Sequence, residues 1–245
     1  MPEHEFWLTG VFNQYLGGFA NAVLALFGLH AQNPEAPWSN AVTMQIVVAV
    51  ILVVLALLLR PRLSVDRPGR MQHIAEVTYL FLRSQADEII GPAGRKFVPL
   101  FATIFLFILA CNLLGTFPEM ETPTLHPEVP LGCAIVVFAY YNAMGVLAHG
   151  PLKYVLTLTG PSPWLAFLMF PIEVTSHLAR LLSLTVRLFA NMFAGENIFV
   201  VFLGLTYIAV PAVFAAFHIF ESLVQAYIFA LLAMVYVGEA VAHEH

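Results

Sequence analysis

The chain has 245 residues, 60% hydrophobic and only 10% charged, with a formal net charge of −5. A soluble domain carries about 25% charged residues and needs polar cover for its exterior. Lipid is therefore the solvent for most of this chain, which excludes a soluble enzyme, a disulfide-knit secreted domain and a disordered regulator; no basic run with interleaved aromatics points to nucleic acid.

Residues 1–40 contain no Lys or Arg. The opening Met1-Pro2-Glu3-His4-Glu5 is acidic and lacks the positive n-region of a cleaved signal peptide, so it is expected to be retained. Trp7–Leu29 reads as a weak interfacial helix. Ala41–Leu59 then gives 19 uncharged residues, closed by Arg60-Pro61-Arg62. Crossing a hydrocarbon core of roughly 30 Å takes about 20 apolar residues, so 41–59 is a first membrane span. The basic loop 60–96 follows. Within it Arg70–Ile90 mixes Ile74, Val77, Phe81 and Ile89 with Arg70, Glu76, Arg83, Asp87 and Glu88, the pattern of an amphipathic helix lying on the membrane.

Phe97–Phe117 is a second span, with Asn112 its only strongly polar side chain. After the loop 118–130, Leu131–His149 is a third, ended by Gly150-Pro151. Cys111 and Cys133 fall inside or at the edge of these runs without CxxC spacing and indicate no redox role. The loop 150–163 leads to two much longer segments, Trp164–Leu203 and Tyr207–Val241. Forty residues of helix measure about 60 Å, twice the hydrocarbon thickness. Ser183–Asn191 holds no Gly or Pro at which the first could fold back. The expectation is an all-α membrane protein of five spans plus interfacial helices, its last two spans forming a long, strongly tilted hairpin across Gly204–Thr206. No pair of similar halves is visible.

Basic residues orient the chain. Arg60, Arg62, Arg67, Arg70, Arg83, Arg95 and Lys96 lie between the first two spans and Lys153 after the third. The positive-inside rule places these loops in the cytoplasm, residues 1–40 and 118–130 outside, and the C-terminus inside.

The two remaining basic residues, Arg180 and Arg187, lie within the fourth span. A mid-membrane arginine costs about 2.5–3.5 kcal/mol on insertion scales, so it persists with a use or a partner. Snorkelling from a helix end accounts for Arg180 better than for Arg187, which has apolar residues on both sides. At 100° per residue, Glu173, Ser176, Arg180, Ser183, Arg187 and Asn191 fall within about 40° of one line, a polar stripe about 27 Å long. Glu196 lies roughly opposite Arg187. The next helix carries His218, Glu221, Ser222 and Gln225 in a second stripe, and the hairpin puts Glu196 and His218 at similar depth. Carboxylate, imidazole, carboxylate and amide in a row make a proton path; a hydrogen-bonded cluster that only locks the hairpin is the alternative. His218-x-x-Glu221 with Glu196 also raises a metal site, but a two-metal bundle needs a second such motif. There is no HExxH, GxSxG or P-loop, so no cofactor and no direct nucleotide binding are expected.

Pro171-Ile172-Glu173 and the run Ser183-Leu184-Thr185-Val186-Arg187-Leu188-Phe189-Ala190-Asn191-Met192-Phe193-Ala194-Gly195-Glu196 resemble the signature of subunit a of F-type ATP synthases. Phe217-His218-Ile219 with Gln225-Ala226-Tyr227-Ile228-Phe229 is similar to that family's last helix, and Phe107–Pro118 to an earlier span. Roughly residues 97–245 are covered. The sequence departs from the family at Leu181, where Pro is frequent, at Ala190, where Gly is common, and at Gly115, where some members carry an acid. Glu221 is an extra carboxylate.

The resemblance implies a non-catalytic stator subunit in the bacterial inner membrane, packed against a rotating ring of c subunits and held by peripheral-stalk b subunits. Two offset half-channels would lead protons to the ring carboxylates. Arg187 would be the fixed charge that drives their deprotonation and blocks leak, flanked by Ser183 and Asn191. Glu196, His218, Glu221 and Gln225 would line the outer half-channel, and Glu173, Ser176, His177 and Arg180 the inner one. A secondary ion transporter with an intramembrane Arg/Glu/His relay, a membrane enzyme with a His/Glu site, and a structural assembly subunit are the rival classes.

Overall fold

The computed structural model describes residues 6–26, 28, 33–116, 120, 122–157, 166–205 and 209–242, and all regular structure among them is helical. The helices are α1 (Trp7–Leu26), α2 (Asn40–Leu59), α3 (Arg70–Ile89), α4 (Val98–Leu114), α5 (Glu128–His149), α6 (Pro151–Thr157), α7 (Ala166–Leu205) and α8 (Ala209–Val241). Among the described residues five stretches are long and apolar enough to cross a membrane: Asn40–Arg62, Pro92–Leu114, Glu128–His149, Phe167–Leu205 and Ala212–Val241.

Local chemistry sets most of the ends. Ser39 caps α2, its hydroxyl accepting from the Val42 N–H at 3.3 Å, which satisfies one of the orphan amides of the first turn. α5 stops at Gly150, whose φ of +82° is reached without a side-chain penalty only by glycine. It starts at Glu128, three residues before the expected Leu131, because Pro130 stands in its first turn, where a missing N–H breaks no helical bond. α4 ends at Leu114, short of the expected Phe117, which lies outside the described residues. The supposed loop 118–130 holds a short 3₁₀ turn, Pro123–Leu125, and the loop 150–163 holds α6.

α7 runs unbroken for 40 residues and α8 for 33. Gly195 and Gly204 do not interrupt α7, since in lipid a backbone amide finds no partner other than its own helix. Of the expected hairpin position Gly204–Thr206, Gly204 and Leu205 are helical and Thr206 lies outside the described residues, as does the expected helix start at Trp164. Three pairs define the antiparallel register. Phe202 stacks on Phe214 with centroids 4.3 Å apart, Asn191 meets Gln225, and Arg180 meets Glu239. From 202 back to 180 is 22 residues, about 33 Å of helix. The two helices thus stay paired over a length comparable to the hydrocarbon core.

The core forms where α4, α5, α7 and α8 meet. Phe101, Phe105 and Ile108 of α4, Val137 and Tyr141 of α5, and Leu184, Leu188 and Met192 of α7 enclose a stripe on α8 of Ala226, Phe229, Ala230, Ala233, Met234 and Val237. The alanines allow close backbone approach, the arrangement that gives membrane helices van der Waals contact where apolar burial supplies no force. α3 adds Leu82 and Ala86 to this core, and Tyr227 of α8 donates to Gln85 at 2.9 Å. This segment, expected to lie on the membrane, thus docks one face on α4 and α8. α1 touches mainly α2, and its Asn13 ties it to Trp38 in the segment leading into α2: the Trp38 N–H donates to Asn13 Oδ1 at 2.9 Å, and Asn13 Nδ2 donates back to the Trp38 carbonyl at 3.3 Å.

Candidate functional site

Arg187 is placed by its neighbours. Leu184, Leu188 and Met192 are one turn apart and all buried, so they point α7's inner face into the core. Ser183, Val186, Arg187 and Ala190 consequently lie on an exposed face. Leu178, Leu182 and Phe193 of α7, with Phe217 and Phe220 of α8, are exposed as well. Among the described residues no carboxylate lies within ion-pair distance of Arg187. Its charge stands among exposed apolar side chains, a position that is costly in lipid unless a partner meets it.

One turn beyond Arg187, Asn191 Nδ2 donates to Gln225 Oε1 at 2.8 Å. Gln225 is buried and its Nε2 has no partner among the described residues, while the Ser222 hydroxyl turns back on the carbonyl of His218 at 2.7 Å. Asn191 is therefore engaged with α8 rather than with Arg187. Ser183 is exposed, and among the described residues no hydrogen bond joins it to the guanidinium.

Glu196, His218 and Glu221 gather around two small cavities. The first, about 20 Å³, is lined by Gly115, Thr116, Glu196, Phe199, Ala215 and His218. The second, about 90 Å³, lies between Gly195, Ile198, Phe214, Phe217, His218 and Glu221. A cavity holds one water once it offers roughly 10–15 Å³ and polar partners, so both have room for water. His218 borders both, and its Nε2 is buried without a partner among the described residues. Gly195 is what admits Glu221: a Cβ there would sit 2.8 Å from Glu221 Oε2 and 3.4 Å from His218 Cδ2.

Sequence reasoning missed part of this end. Thr122 fills the space over Gly115, where a Cβ would collide with its hydroxyl and stand 3.7 Å from Glu196 Oε2. Thr124 donates to Asn112 Oδ1 at 2.8 Å. Among the described residues the Thr116 and Thr122 hydroxyls and Asn112 Nδ2 are buried without partners, and buried groups of this kind ordinarily bond to protein or to ordered water. Only Asn112 carried a signal, as the lone amide of an apolar run.

Toward the other end of the hairpin, Glu173 lies 3.5 Å from His177 Nε2, and the Tyr141 hydroxyl is 2.7 Å from His177 Nδ1 with the two rings stacked. Ser176 is half-buried beside them. Arg180 Nη1 meets Glu239 Oε2 at 2.6 Å, and its guanidinium lies over the Tyr236 ring, 5.2 Å from the centroid. Tyr141, Tyr236 and Glu239 had no signal in the sequence, because each acts across a helix boundary. Outside the spans, burial raises the Tyr154 hydroxyl above the ordinary tyrosine range; it donates to Asn142 Oδ1 at 2.9 Å.

The titratable groups thus form two zones. Glu196, His218 and Glu221 lie toward the Phe202–Phe214 end, and Glu173, His177, Arg180 and Glu239 toward the other. Nine residues of α7, about 14 Å, separate Glu196 from Arg187, and fourteen, about 21 Å, separate Arg187 from Glu173. Between the zones, the described polar groups that α7 and α8 bury are the Gln225 amide, bonded to Asn191, and the Thr185 and Ser222 hydroxyls, which hydrogen-bond but do not titrate at cellular pH. Among the described residues no group of three His, Cys, Asp or Glu is placed to hold a metal ion.

The family model described as "ATP synthase A chain" matches residues 41–238. Over 236 residues the chain is 55% identical to "ATP synthase subunit a" of Solibacter usitatus (strain Ellin6076), covering 96% of this chain and all of that protein. It is 43% identical, over the full length of both, to "ATP synthase subunit a" of Koribacter versatilis (strain Ellin345). Similarity extends to "ATP synthase subunit a 1" of Syntrophotalea carbinolica (strain DSM 2380 / NBRC 103641 / GraBd1), at 40% over 81% of this chain and 84% of that protein.

Proposed function

The chain belongs to the ATP synthase A chain family, whose members are non-catalytic membrane subunits of the F0 sector, and we propose that it gives protons two offset routes to the carboxylates of a rotating c ring. Arg187 is the fixed charge between the routes. A guanidinium stays protonated at every cellular pH, so Arg187 cannot relay a proton. It can favour the ionised form of a carboxylate brought opposite it, an effect typically of 1–3 pKa units. A ring carboxylate arriving at Arg187 releases its proton, and the same charge repels protons that would leak straight from one route to the other.

The single observation that carries this reading is the position of Arg187: exposed on an apolar face, without a carboxylate partner among the described residues, and at the junction of two separate titratable zones. Glu196, His218, Glu221 and Gln225 line the outer route. Glu173, Ser176, His177 and Arg180 line the inner one, where Lys153 and the basic residues between the first two spans place the cytoplasm. The N-terminus is then periplasmic, the C-terminus cytoplasmic, and the peripheral-stalk b subunits hold the chain against the drag of the ring. Each charge crossing supplies about 2.3 kcal/mol per 100 mV, so several crossings accumulate for one ATP, as a rotary device allows. Proton conduction by liposomes holding this chain, the b subunits and the ring, and its absence when the ring is omitted, is the expected result. Conduction without the ring would overturn the reading in favour of a transporter.

A further inference from the structure

Two cations share the polar stripe of α7. Arg180 and Arg187 are seven residues apart, which puts them within about 20° of one line and about 10.5 Å apart along the axis. Either guanidinium, if uncompensated, would hold a passing carboxylate ionised. A rotor that meets two such positions would keep its carboxylate charged over a longer arc and delay its reprotonation.

The two arginines are in different states. Arg187 is exposed and faces no carboxylate among the described residues. Arg180 is half-buried, 2.6 Å from Glu239 Oε2 and laid over the Tyr236 ring. Glu173 lies 3.5 Å from His177 Nε2, while the other ring nitrogen is 2.7 Å from the Tyr141 hydroxyl, and among the described residues the carboxylate within ion-pair distance of Arg180 is Glu239. Tyr141 in turn lies 6.0 Å from the Tyr236 ring. The end of α8 that bears Glu239 is itself fixed: a Cβ at the adjacent Gly238 would stand 3.3 Å from Ile90 Cγ1 and 3.8 Å from the Ile89 carbonyl, so α3 abuts the helix there.

We propose that Glu239 is a positioning residue that neutralises Arg180 and turns it into the α7–α8 seam, leaving Arg187 as the one uncompensated charge on the face offered to the ring. The proposal rests on the reading of Arg187 as the group that meets the ring carboxylate. It gives the inner zone a second task beside lining a route: it sets where the carboxylate stops being held ionised.

The test measures the pH dependence of carbodiimide labelling of the ring carboxyls in membranes holding the assembled complex, since carbodiimide attacks the protonated form. Glu239→Gln exposes the Arg180 charge and is expected to lower the labelling midpoint by about one pH unit and to slow proton-driven ATP synthesis. Glu239→Asp and the double variant R180Q/E239Q are expected to return the midpoint to that of the parent. Glu239→Ser is the second variant and is expected to shift the midpoint as Glu239→Gln does. An unmoved midpoint in both single variants overturns the proposal, as does a shift that persists in the double variant. Loss of assembly in both, restored in the double variant, makes the pair a structural clamp and also overturns it. Arg187→Gln in the same series separates the two levels: if its midpoint is unchanged, the reading of Arg187 fails; if it rises while Glu239→Gln has no effect, only the role of Glu239 fails.

Discussion

Asn191 on α7 donates its amide to Gln225 on α8 at 2.8 Å, one turn beyond Arg187. This bond crosses the hairpin at the level of the fixed charge and ties the helix bearing that charge to a buried residue of its partner. Interhelical hydrogen bonds in membranes are worth about 0.6–2 kcal/mol. A double-mutant cycle on Asn191→Leu and Gln225→Leu, read from thermal dissociation of the complex, is expected to give a coupling energy in about that range. A coupling near zero would mean the contact does not hold the helices in register.

Gly195 leaves room for Glu221 in the cavity beside His218. A larger residue must displace the carboxylate, and overpacking of this kind costs about 1–3 kcal/mol. If that cost falls on proton entry, Gly195→Val slows passive proton conduction roughly 5- to 150-fold, and adding Glu221→Asp, which keeps the carboxylate on a shorter side chain, recovers part of the rate. Full conduction by Gly195→Val would remove this cavity from the route.

The Thr122 hydroxyl occupies the space over Gly115. Gly115→Asp is expected to disturb the packing of Pro123–Leu125 on α4 and reduce assembled complex, whereas G115D/T122A restores assembly, because the new carboxyl takes the vacated space next to Glu196. Normal assembly of the single variant, measured by native gel, would contradict this packing.

For sidedness, single cysteines at Asp66 and His126, in a background lacking Cys111 and Cys133, should react with impermeant maleimide from opposite faces of the membrane. Labelling of both from the same face would refute five crossings.

Helix lengths were legible because in lipid the chain has few reasons to stop. The absence of a break across Ser183–Asn191 predicted a long helix, and α7 is continuous from Ala166 to Leu205. Ends were less legible where proline misled, as at Pro130, which sits inside the first turn of α5 rather than before it. Within the site, one-helix periodicity placed Arg187 and the His218–Gln225 stripe. It could not assign partners on other helices, because partner choice depends on rotation and register between helices. Asn191 therefore turned out to face Gln225 rather than Arg187. Glu239, near the end of the last helix, had nothing in its surroundings to indicate that it receives Arg180.

If one fixed, non-relaying charge at position 187 couples proton flow to the ring, proton-driven ATP synthesis by membranes containing Arg187→Gln, with normal amounts of assembled complex, falls about 100-fold or more, in line with removing a preorganised electrostatic group. Coupled synthesis near the parental rate would contradict it.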